Sequence, residues 1–136
     1  MERTLLIIKP DAVEANNIGN ILKIIVDVGF TIKAMRMTRL TRDQAAKFYG
    51  IHEGKPFFES LLDYMTSGKI VPVALERENA VAKLREVLGA TDPAKADTGT
   101  IRNLYGSSIE RNASHGSDSA ENGKIETAFF FGEMEY

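Results

Sequence analysis

The run Thr4-Leu5-Leu6-Ile7-Ile8, closed by Lys9-Pro10-Asp11, decides how this 136-residue chain is read. Four consecutive large apolar residues leave no polar face, so the segment reads as a strand buried on both sides. Such a strand needs partners on each face, and the next pattern supplies the first. Ile18, Ile21, Leu22, Ile25 and Val28 recur at helical spacing, and Gly29 follows as a stop. Thr31 to Leu40 is rich in branched and sulfur side chains and reads as a second strand, although its alternation is imperfect. Thr41 and Gln44 form a capping-box pattern that opens a helix running to about Tyr49.

Gly50 to Pro56 is a loop, after which Phe57, Phe58, Leu61, Leu62 and Met65 suggest a further helix. Ile70 to Leu75 reads as a third strand, with Pro72 better suited to an edge because it lacks a ladder donor. Asn79 to Leu88 is a helix closed by Gly89. From there to about Ala113 no long period is visible, which predicts a long ordered loop packed through Ile101, Leu104, Tyr105 and Ile109. A strand is allowed next, then a helix from Ser119 to about Phe131, with room for a short strand after it. Two β-α-β units in this order predict an α/β chain of the α+β sandwich kind. The expected architecture is a ferredoxin-like split β-α-β, with a small antiparallel sheet covered by helices and one domain over residues 1–136.

Composition narrows the function classes. A net charge of −2 argues against a protein held on nucleic acid by bulk charge. The absence of cysteine excludes a disulfide framework and thiolate metal sites. The apolar stretch behind Met1-Glu2-Arg3 is too short for a signal-peptide core or a membrane span, so a cytoplasmic protein without a membrane partner is expected. Gly50-Ile51-His52-Glu53-Gly54-Lys55 resembles a phosphate-binding loop but is one spacer short and is followed by Pro56. No dinucleotide fingerprint, nucleophile elbow or paired-histidine zinc motif is present.

One segment is unusual. Asn112-Ala113-Ser114-His115-Gly116-Ser117-Asp118-Ser119 sets a histidine among small polar residues just before a helix. Gly116 would let a ligand approach the backbone, and the helix start offers free N–H groups to an anion. Imidazole is a good nucleophile, largely neutral at cellular pH, and Glu126 in the following helix could orient it. A lone loop histidine is more often solvent-exposed than catalytic, and Ser117, Asp118 and Ser119 are ordinary capping residues. On chemistry alone His115 is a candidate.

That segment resembles the signature around the active histidine of nucleoside diphosphate kinases. The resemblance extends across nearly the whole chain: Ile8-Lys9-Pro10-Asp11-Ala12, Lys55-Pro56-Phe57-Phe58, Met65-Thr66-Ser67-Gly68, Leu88-Gly89-Ala90-Thr91-Asp92-Pro93 and Gly99-Thr100-Ile101-Arg102 match in the family's order. It implies an enzyme that passes the γ-phosphate of a nucleoside triphosphate to a nucleoside diphosphate through a phosphohistidine on His115. By the same resemblance Lys9 contacts the phosphates, Arg85 and Arg102 hold the diphosphate, and Thr91 donates a hydroxyl. Phe57 stacks on the base beside Leu61 and Ile109, and Asn112 contacts the sugar. Tyr49, Ser117 and Glu126 position the imidazole. Mg2+ would enter with the nucleotide rather than in a protein cage. A homo-oligomer, hexamer or tetramer, is implied, and no nucleic acid is required.

Each residue also has a plain alternative. Lys9 could reach solvent from a strand end, Arg85 could answer a helix dipole, Thr91 could shape a turn, and Phe57, Leu61 and Ile109 could be core. His52 reads as a surface or supporting residue. Lys69, Arg77 or Glu78, and Ser114 depart from residues common in the family. Two other readings compete: a phosphohistidine relay, which would need no nucleotide pocket, and a non-enzymatic binding module, which would survive loss of His115.

Overall fold

The computed structural model describes residues 1–136. Four strands form one sheet: β1 (Glu2–Ile8), β2 (Thr31–Met35), β3 (Val71–Arg77) and β4 (Ser114–Gly116), in the order β2-β3-β1-β4. Every pairing is antiparallel. It follows that β1 and β2 run parallel with β3 between them, and β3 and β4 run parallel with β1 between them. These are two interlocked split β-α-β units, the ferredoxin-like α+β sandwich that the element order predicts.

Helix α2 (Ile18–Asp27) links β1 to β2, and α5 (Ala80–Leu88) leaves β3 towards β4. Between the two units lie α3 (Arg42–Phe48) and α4 (Phe58–Met65), and α7 (Ala120–Phe130) closes the chain. Leu5, Leu6, Ile7 and Ile8 are all fully buried. Pleating sends Leu6 and Ile8 to a core shared with Ile21, Ile25, Leu84 and Leu88. Leu5 and Ile7 point into a second core with Leu62, Met65 and Phe130. Each such side chain contributes about 1.5–3 kcal/mol by leaving water, so the apolar run fixes the sheet between two helical layers.

Several expectations change in detail. Pro72 lies on an interior strand, not an edge, and pairs with Ile7. Its carbonyl accepts from the Arg36 N–H at 3.2 Å, so its missing donor faces β2 beyond the last ladder pair, Met35 with Val73. The imperfect alternation of the second strand reflects a register shift between Ile32 and Ala34, and β2 ends at Met35 rather than Leu40. Thr38 makes only an isolated bridge to Ile70. Lys9-Pro10-Asp11 ends β1 but also opens a short helix, α1 (Pro10–Glu14), with proline in its first turn.

The stretch from Gly89 to Ala113 is not structureless. It holds a 3-10 turn, Pro93–Lys95, and α6 (Ile101–Tyr105), capped by Asp92 and Thr100. The Thr41 and Gln44 capping box forms as predicted. After Phe131 the chain makes a 3-10 turn, Glu133–Glu135, and not a strand. No helix is long and apolar enough to cross a membrane.

Candidate active site

The open end of β1 is where the chemistry collects. His115 is the middle residue of β4 and lies opposite Ile7, so the edge pairing with β1 sets the height of its imidazole. Ring atom Nε2 lies 2.9 Å from Glu126 Oε1. The Ser117 hydroxyl donates to the same oxygen at 2.7 Å and accepts from the Leu5 N–H at 3.0 Å. Ser117 thus ties the carboxylate to β1 and reaches the ring only through it. The carboxylate in turn holds the imidazole by one nitrogen, leaving Nδ1 with a free lone pair.

Tyr49 is buried beside this group, but its hydroxyl makes no hydrogen bond. Burial, followed by the Glu126 charge, holds that phenol well above its usual range. The ring that touches the imidazole is Phe48, edge-on at 5.7 Å between centroids, a residue not singled out from sequence. Gly116 has a packing role besides the one expected. A Cβ there would come within 2.9 Å of Leu88 Cδ1, so the glycine also admits the packing of α5, while its backbone lines the cavity beside His115.

Lys9 follows β1 directly and is almost fully buried. Its Nζ donates to Asn112 Oδ1 at 2.8 Å, and Asn112 Nδ2 donates to the Thr91 carbonyl at 3.0 Å. Burial and then the neighbouring Arg102 charge bring the ammonium down to about 8. Arg102 sits in α6 and donates to the Gly89 and Ser114 carbonyls at 2.9 and 3.0 Å, fastening α5 to β4. Its Nε is buried without a partner, and burial followed by the Arg85 charge lowers the guanidinium to about 10. A cation held below its ordinary range by burial and by other cations would be stabilised by a nearby anion.

A cavity of about 450 Å³ runs beside His115, lined by Arg85, Thr91, Arg102, Asp118 and Glu126 among others. A second, of about 350 Å³, is lined by Lys9, Phe57, Leu61, Ile109 and Glu110. Thr91 and His52 line both, so the two hollows abut, one lined by two arginines and two acids and the other largely apolar. Phe57 and Ile109 are 46% and 61% exposed, which removes the reading that they are core, while Leu61 packs partly against the core as well. His52 belongs to the cleft wall, not the outer surface, and its buried Nδ1 has no partner. Sequence reasoning also missed Asp118 and Glu110; neither carries a pattern beyond that of a capping or loop acid.

Of the departures from common family residues, Ser114 leaves its buried hydroxyl unpaired. The turn ahead of α5 puts Asn79 itself at a φ of 55°. No group of three metal-ligating side chains is formed.

Comparison with known proteins identifies the family. The family described as Nucleoside diphosphate kinase matches residues 2–136. A nucleoside diphosphate kinase of Nitratiruptor sp. is 56% identical over 135 residues, covering 99% of this chain and 98% of the relative. That of Chlorobaculum tepidum is 54% identical, with 99% and 96% covered. Among solved structures, the Aquifex aeolicus nucleoside diphosphate kinase superposes with a TM-score of 0.96 at 42% identity, covering 98% of this chain and 97% of that one. A Halobacterium salinarum nucleoside diphosphate kinase in complex with CDP gives 0.95 at 35% identity, with 98% and 90% covered. With its sequence and fold in agreement, the chain belongs to the nucleoside diphosphate kinase family.

Proposed function

We propose that His115 carries the phosphate in the reaction of this family, the ping-pong transfer of a γ-phosphate from a nucleoside triphosphate to a nucleoside diphosphate. The observation that carries the assignment is the Glu126 contact at Nε2, which frees Nδ1 beside the cavity that Arg85 and Arg102 line. The Nδ1 lone pair forms a bond to the γ-phosphorus as the bond to the bridging oxygen breaks, and the nucleoside diphosphate leaves. A terminal oxygen of the second diphosphate then attacks that phosphorus and the N–P bond breaks. Glu126 stabilises the positive ring of the intermediate, and Ser117 holds Glu126 in place. Phe48 packs edge-on against the imidazole, and Tyr49 packs edge-on against Phe48.

Positioning and charge supply most of the acceleration in phosphoryl transfer. Lys9, Arg85 and Arg102 meet the phosphates, and Thr91 adds a hydroxyl. Asn112, held on Lys9, contacts the sugar hydroxyl. Phe57, with Leu61 and Ile109, receives the base on an apolar face that discriminates little between bases. Mg2+ accompanies the triphosphate, and phosphate oxygens and water would be its main ligands. Asp118, on the cavity wall, is the residue present to face that hydrated cation. Bound there, the ion would neutralise charge on the phosphates.

Residues 1–136 act as one domain, in our reading that of a cytoplasmic protein. It works as a homo-oligomer. β2 is an open sheet edge, and Met35 and, just beyond it, Met37 are each 51% exposed. A second copy covering that edge would remove both liabilities. Sedimentation of the purified chain tests this, and a monomer would refute it.

The phosphohistidine is tested with γ-labelled ATP and Mg2+, on wild type and on His115→Ala, followed by unlabelled GDP. Wild type should take up acid-labile, base-stable label and pass it to GDP, and the variant should stay unlabelled. Label retained by His115→Ala would remove the assignment.

A further inference from the structure

We infer that Asp11 is a positioning residue for this site: its carboxylate holds the Ala113 peptide in a left-handed turn that sets Asn112 and His115 relative to Lys9. The inference rests on the assignment of those three residues to the nucleotide site.

Asp11 occupies the first turn of α1, where an acid usually needs no explanation beyond the helix dipole. Here the carboxylate does not cap its own helix. One oxygen, Oδ2, accepts from the Ala113 N–H at 3.1 Å, across 102 residues of sequence. The other accepts a short hydrogen bond from the Tyr64 hydroxyl, which itself accepts from the Asp11 N–H. Tyr64 is buried in the core of α4, and the Arg111 guanidinium lies 5.1 Å from its ring centroid. The carboxylate is therefore anchored on one side and spends its second oxygen on the Ala113 backbone.

Ala113 has a φ of 74°, a conformation that costs free energy for any residue with a Cβ. Its peptide groups are held at both ends, since its carbonyl accepts from the Lys9 N–H at 2.9 Å. Asn112, on one side of the turn, grips Lys9 Nζ. Ser114 and His115, on the other, enter the β1 ladder opposite Ile8 and Ile7. If Ala113 relaxed to negative φ, the chain direction would change between Asn112 and His115, and the two could not keep both their partners. A turn held in an unfavoured state by a distant side chain is how a site fixes geometry that local propensity would not.

The test is a cycle of Asp11→Ala, Ala113→Gly and the double variant, read as kcat/KM for label transfer from ATP to His115. Circular dichroism and thermal unfolding confirm that each is folded. Asp11→Ala should lose about tenfold or more, because sub-ångström misplacement is costly in phosphoryl transfer. Adding Ala113→Gly should restore about threefold or more of that loss, since glycine adopts positive φ without being held. A merely structural acid would not be rescued by a glycine at residue 113. Asp11→Ala within about twofold of wild type, or no recovery in the double variant, would overturn the inference. Should Asp11→Ala fail to fold, Tyr64→Phe removes only the anchoring hydroxyl and should show a smaller loss with the same rescue. Wild type that takes no label on His115 would instead remove the site assignment itself, and this inference with it.

Discussion

Lys9 is an ammonium placed where ammonium is disfavoured. Burial lowers it first and Arg102 next, while Asp11 and Glu110 pull the other way, leaving it at about 8 against an ordinary 10.5. In the proposed role its charge meets phosphate, so kcat/KM for a nucleoside diphosphate on the phosphorylated enzyme should bend downward above pH of about 8. Bound phosphate favours the charged form, so kcat should hold to higher pH than kcat/KM. A flat kcat/KM up to pH of about 10 would refute the assignment of Lys9 to the phosphates. The stability consequence has the opposite sign. Between about 8 and 10.5 the unfolded chain binds the proton that folded Lys9 has lost, so this group's contribution to stability rises with pH. At this scale the sequence was informative where chemistry is carried by residue type. His115, Glu126, Lys9, Arg102 and Phe57 all line the cleft from positions read in advance. It was silent where the role depends on a partner far along the chain, as for Phe48 against His115 or Asp11 against Ala113. Local pattern also missed the second reason for Gly116, whose neighbours, Leu84 and Leu88, lie on another helix.

Helix α7 shows how an element carries a site at a cost to itself. Gly123 stands in its interior, where glycine is worth about 1 kcal/mol less than alanine by propensity. A Cβ at that position would lie 2.4 Å from the Arg3 carbonyl oxygen, so α7 crosses β1 at a distance only glycine allows. That approach brings Glu126, three residues on, to Ser117 and His115. Gly123→Ala should therefore destabilise the chain by about 1–3 kcal/mol despite the better helix former. It should also lower the rate of His115 phosphorylation, because the displaced helix carries Glu126 with it. A thermal midpoint equal to or above wild type would show that α7 can shift without strain. The elements themselves were largely legible, since the helical periods of α2 and α5 and the capping box of α3 are local. What was not legible depends on neighbours: Pro72 is tolerated inside the sheet because β2 stops short of it, and α6 is too brief to show a period.

At the scale of the molecule, β1 is the shared wall of two cores. Leu6 and Ile8 belong to one, Leu5 and Ile7 to the other, and the strand's end delivers Lys9 to the cleft. Neither core can be lost while the other keeps its strand, so the chain should unfold in one transition. Leu6→Ala and Ile7→Ala probe the two cores separately, and each should cost about 2–5 kcal/mol by leaving a cavity. The informative result is the shape of unfolding rather than its size. Both variants should keep coincident far-ultraviolet, aromatic and activity transitions, with a calorimetric to van't Hoff ratio of about 1. The measurement belongs at several protein concentrations, because dissociation of an oligomer would move the midpoint with concentration without splitting the curve. A second transition in Ile7→Ala that leaves the Leu6 side intact would mean that α3, α4 and α7 form a separable layer. Activity would then be lost with that layer, since Glu126 belongs to it, while the α2 and α5 layer stayed folded around β1.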